Sequence, residues 1–70
     1  MPAQDFEALR NAARELAESL ADVSEGMAAE GLALRGAWSG GTMADAERLH
    51  IRALARRNDA WRALSALLKP

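Results

Sequence analysis

The sequence predicts an all-α protein, an antiparallel hairpin of two long helices, on three observations. First, half of the 70 residues are hydrophobic, but 17 of these are Ala and ten are Leu, against one Val, one Ile, one Phe, two Trp and no Tyr. Ala and Leu favour helix, whereas β-branched and aromatic residues favour strand. Second, apolar residues in the first half recur at alternating steps of three and four, the signature of an amphipathic helix. Third, the strongest turn signal lies at mid-chain, where Gly36, Gly40 and Gly41 fall within six residues. The length allows one domain, residues 1–70.

The first helix is expected from about residue 5 to about 36, on the order of 45 Å long at 1.5 Å per residue. Phe6, Leu9, Ala13, Leu16, Leu20, Val23 and Met27 follow heptad spacing along it. Gly26 and Gly31 interrupt good helix formers, each at a cost of about 1 kcal/mol relative to Ala. They either let another backbone come close or break the helix near Ser24-Glu25-Gly26.

The turn is expected over about 36–41. Thr42-x-x-Asp45 then reads as an N-cap with an acid in the first helical turn. The second helix is expected over about 42–68, with Lys69 suited to its C-terminal dipole and Pro70 ending it. Ala46, Leu49, Ala53, Ala60, Leu64 and Leu67 make one stripe, and Ile51, Leu54, Trp61 and Leu68 an adjacent one. The polar stretch Arg56-Arg57-Asn58-Asp59 lies between them. A lone hairpin leaves the outer edges of these stripes wet, and two hairpins packed as a four-helix bundle would cover them. Chains of this size usually need a disulfide, a metal or a partner subunit. With no Cys, a partner is the expectation.

Nine Lys+Arg against ten Asp+Glu give a net charge of −1, which argues against a general nucleic-acid binder. Residues 1–36 hold seven acids and three Arg (−4), and residues 37–70 three acids, five Arg and one Lys (+3). These halves attract if they fold onto each other or cross-pair in a dimer. Arg48, Arg52 and Arg56 are spaced four apart, with Arg62 beyond. The stripe reads as a pairing surface for acids rather than for phosphates. The N-terminal residues carry neither a basic stretch nor an apolar run, so no signal peptide is read. No apolar run approaches the roughly 18 residues of a membrane span. A cytoplasmic protein is expected, with export lacking a cleavable signal left open.

No catalytic set, cofactor motif or metal site is read. His50 with Glu47 offers at most two ligands where a metal normally needs three or four. Asn58 either faces water or sets register within an apolar seam. Trp38 between glycines is unusual for a turn. It either folds back over the end of the hairpin or stands out as an anchor for a partner.

The segment Leu34-Arg35-Gly36-Ala37-Trp38-Ser39-Gly40 resembles the helix–turn–helix junction of the WXG family of small type VII secretion substrates. Trp38 and Gly40 match its Trp-x-Gly, and the Leu four residues ahead and the Ala-rich start of the second helix are also similar. The resemblance implies a homodimer or heterodimer with a similar hairpin and export in the folded state. The family's Tyr-containing export signal is missing, since there is no Tyr, which implies the partner without that signal. Residues 53–64 more loosely resemble the second helix of flagellar-type hairpin export chaperones. The expected function is thus protein–protein interaction: a secretion substrate or its partner, or a chaperone or adaptor holding a client helix, with a small nucleic-acid-binding regulator as the least favoured alternative. The expected interface seam is Phe6, Leu9, Leu16, Leu20, Val23 and Met27 on one helix and Leu54, Trp61, Leu64 and Leu68 on the other, with Trp38 and Gly40 shaping the turn and meeting a partner.

Overall fold

A computed structural model describes residues 3–69, with side chains described from Asp5 onward. Helix α1 spans Ala3–Leu34 and helix α2 spans Met43–Leu68. They pack along their lengths as a hairpin. The expected stop at Pro70 lies outside the described residues.

Helix α1 runs unbroken through Gly26 and Gly31, and ends two residues before the expected boundary. Its end is a Schellman motif: the Ala37 N–H donates to the Leu32 carbonyl at 2.9 Å and the Gly36 N–H to the Ala33 carbonyl at 3.0 Å. Gly36 makes this possible with a φ of +70°, a region that penalises any Cβ. Helix α2 opens with a capping box. The Thr42 hydroxyl accepts from the Asp45 N–H at 3.3 Å, and the Asp45 carboxylate accepts from the Thr42 N–H at 2.8 Å. Two of the donors that a helix start leaves open are thereby satisfied.

The helices meet through small residues. Ala29, Ala46, Ala53 and Ala60 are the buried apolar side chains, and Ser19 is fully buried at 0 % exposure. On α2 the alanines recur every seventh residue. On α1 the matching row is Ala12, Ser19, Gly26 and Ala33, all buried or half-buried. Small side chains let two helix backbones come close. A Cβ added at Gly26 would lie 2.7 Å from His50 Cα, so glycine is what admits α2 there. The buried Ser19 hydroxyl donates to the Leu16 carbonyl at 2.6 Å and so carries no unmet hydrogen bond into the seam.

Of the two heptad rows read on α1, one faces α2 and the other is displaced from the seam by Ala12, Ser19 and Gly26. Leu9, Leu16 and Val23 are half-buried in the hairpin, as are Leu54 and Leu64 opposite. Ala13, Phe6, Leu20, Met27, Trp61 and Leu68 are exposed. The physical reason is closeness: helices held together by Ala, Ser and Gly leave no room for bulky side chains at their line of contact.

Candidate interaction face

Because α1 and α2 lie side by side in a single layer, the hairpin has two broad faces. Helical periodicity and pairing give them opposite chemistry.

One face is charged. Glu15, Glu18, Asp22 and Glu25 follow steps of three, four and three, so they share one side of α1. Arg56 reaches across to three of them. Its Nε donates to Glu15 at 2.7 Å and its terminal nitrogens to Glu18 at 3.2 Å and to Asp22. The hydrogen bond from Arg56 holds the Glu15 carboxyl below its ordinary range, and the Arg56 guanidinium is pushed further up by Glu15 and Asp22. The acidic and basic halves thus pair within the chain. Such exposed pairs add little stability, but they select which sides of the helices meet. Arg48 is tied to Asp45, and Arg62 lies 3.7 Å from Asp59. Arg52 makes no ion pair among the described residues.

The other face is apolar. Phe6, Ala13, Leu20, Met27 and Leu34 are an every-seventh row on α1, and Leu54, Trp61 and Leu68 the corresponding row on α2. Met27 is 60 % exposed and Trp61 56 %. Between the rows an open groove of about 420 Å³ is lined by Leu16, Leu20, Arg57, Asn58 and Trp61. Large apolar side chains thus line this side of the hairpin in the open. Asn58 is exposed at the lip, where it accepts from Arg57 at 3.1 Å. It faces outward rather than setting the hairpin's register. The polar contact across the seam is made by His50, whose Nδ1 lies 2.8 Å from Glu30 Oε1.

At the turn, Trp38 is half-buried. Its indole ring lies over Gly40, where an added Cβ would meet the ring carbon Cζ2 at 2.5 Å. The ring borders a shallow depression with Asp45, Arg48, Leu49 and Arg52. The Trp-x-Gly spacing therefore has a local cause, in that the glycine gives the indole a flat seat.

The residues singled out in the sequence thus fall into three groups, of which Leu9, Val23, Leu54 and Leu64 are half-buried where the two helices meet. Trp38 and Gly40 come together at the turn. Leu20 and Trp61 come together with Leu16 in the groove, and Phe6, Met27 and Leu68 are exposed farther along the same rows. Sequence reasoning passed over Arg57, whose signal was its place in the polar waist beside Trp61. Among the described residues there is no cluster of three or more potential metal-binding side chains, and no helix is long and apolar enough to cross a membrane. No protein-family model matches the chain, and no curated protein or solved structure shows significant similarity to it.

Proposed function

We propose that the chain is a protein–protein interaction module whose apolar face docks against a second helical hairpin to complete a four-helix bundle. One observation carries this reading: the fully buried side chains of the hairpin's own contact are Ala and Ser, packed beside Gly26, while the larger Phe6, Leu20, Met27 and Trp61 stand exposed. Burying apolar surface gains roughly 25 cal/mol per Å². A chain that spends alanine on its own seam and reserves Phe6, Leu20, Met27 and Trp61 for the outside is built to be covered.

Within that class, the reading extends to a WXG-type secretion substrate or its dimer partner. The seating of Trp38 on Gly40 supports it, since it explains why a Trp-x-Gly stands at the centre of such a hairpin. A second reading, a chaperone or adaptor holding a client helix, is favoured by the open groove between Leu20 and Trp61, which is of the helix-in-groove kind.

The experiment is recovery of tagged chain from its own cells beside a Leu20→Ser/Trp61→Ser variant, with partners identified by mass spectrometry. A second small helical chain in equal amount, absent with the variant, is the expected result. Co-recovery of a secretion ATPase supports the WXG reading. Recovery of larger client subunits without one favours the chaperone. Identical partner sets for both chains would refute the docking face.

A further inference from the structure

From the charge on the apolar face we infer that its occupant is a different protein, an amphipathic helix carrying a carboxylate at mid-length, and not a second copy of this chain. The inference rests on the docking reading above. Arg57 is half-buried and lines the groove with Leu16, Leu20 and Trp61. Its side-chain hydrogen bond goes to Asn58 Oδ1, a neutral neighbour, and it makes no ion pair among the described residues. Its sequence neighbour Arg56 shows what a paired arginine looks like here, with three carboxylates on the opposite face. A guanidinium at the lip of an apolar groove loses water when the groove is covered, and losing it without a counter-charge is costly.

No acid of this chain meets that need. Glu15, Glu18 and Asp22 are held by Arg56 on the far face, where Glu25 also lies. Asp45 pairs with Arg48, Asp59 is two residues past Arg57 and so lies on another side of α2, and Glu30 bonds His50. Asp5, Glu7 and Glu47 remain, all toward the ends of the helices.

Arg57 is at the middle of α2 (Met43–Leu68). A two-fold dimer is isologous, so each patch meets itself. Full antiparallel overlap of two copies then brings Arg57 against Arg57, and full parallel overlap sets Arg57 against α1 of the second copy at the level of Leu16 and Leu20, with no acid on that face in either case. Pairing Arg57 with Glu47 of a second copy instead slides the hairpins by on the order of 10 Å and uncovers the open end, with Phe6 and Leu68. The groove therefore suits a partner that supplies apolar side chains around one carboxylate at the level of Arg57.

This chain itself provides the probe. A copy carrying Arg57→Glu presents the required carboxylate at mid-length. Sedimentation of wild type, Arg57→Glu, Arg57→Leu and an equimolar mixture of the first two is measured at tens of micromolar, with helicity checked by circular dichroism. Wild type and Arg57→Glu are expected to be monomeric alone. The mixture is expected to associate about tenfold or more tightly than either, since like charges repel and opposite ones attract across a covered contact. Arg57→Leu, freed of the charge, is expected to self-associate. A wild-type dimer abolished by Trp61→Ser would overturn the inference while leaving the docking face intact. A monomeric mixture beside a dimeric Arg57→Leu would overturn the requirement for a carboxylate. If the mixture and Arg57→Leu both stay monomeric, Arg57 is not what keeps the copies apart and the inference fails, while the docking reading stands or falls on the capture experiment above.

Discussion

Two glycines of α1 occupy the same helix and do opposite things. Gly26 faces the His50 backbone, where an added Cβ would sit 2.7 Å from Cα, while Gly31 has nothing within 4 Å. Gly26→Ala gains helix propensity but forces the helices apart, so a net loss of about 1–3 kcal/mol is expected. Gly31→Ala keeps the propensity gain and is expected to stabilise by about 0.5–1 kcal/mol. Urea denaturation of the two variants checks both signs. Asp45 is the other residue with a distinct signature. Hydrogen bonds from the Thr42 backbone and hydroxyl, then from Arg48, lower its pKa from 3.8 to about 2. Because the folded value is depressed, the cap's contribution is complete above the unfolded pKa near 3.8 and is lost as pH falls toward 2. Carbon-detected NMR of the Asp45 carboxyl is expected to give a midpoint near 2. In Asp45→Asn, stability is expected to lose its share of the fall across that window.

At the scale of elements, the turn is a sequence of separate devices. The Schellman end at Gly36, the Trp38–Gly40 stack and the Thr42–Asp45 box each close one stretch of backbone. Gly40→Ala is expected to unseat the indole without melting either helix. In a Trp61→Phe background, where Trp38 is the sole Trp, its fluorescence is expected to shift to the red while helicity holds. Unchanged emission would mean that the ring is held by Leu49 and Arg52 rather than by the glycine. The helices themselves are matched by charge. Acids at 15, 18, 22 and 25 lie on one side of α1, and Arg56 bridges three of them. Those spacings were legible in the sequence, as were the two helices, the turn and the cap at Thr42. The row of contact was not. Phe6, Leu20 and Met27 fit a heptad as well as Ser19 and Gly26 do, and hydrophobicity alone favours the larger residues.

The whole molecule is a rod, 51 × 15 × 12 Å across its Cα atoms, too thin to enclose a large side chain. Among the described residues the largest fully buried side chain is Ser19. Truncating the half-exposed Leu20 and Trp61 to Ser is therefore expected to cost the monomer only about 1–2 kcal/mol each, while abolishing partner capture. Calorimetry and binding on the same samples separate these effects. The melting temperature of the wild-type chain is expected to be independent of its own concentration, and to rise when the Arg57→Glu copy is added, as mass action requires of anything that binds only the folded state.

Composition, periodicity and the central glycines were enough to determine two helices, their approximate ends and their antiparallel return, because these depend on local propensity and hydrogen bonding within a few residues. Which faces meet is a property of two surfaces together. Small residues allow the closest approach, and Arg56 finds its acids only in that register. Only the tertiary structure therefore decided that alanines form the inner seam, that Gly26 is a contact rather than a break, and that Arg57 stands at mid-length in an apolar groove without an acid beside it.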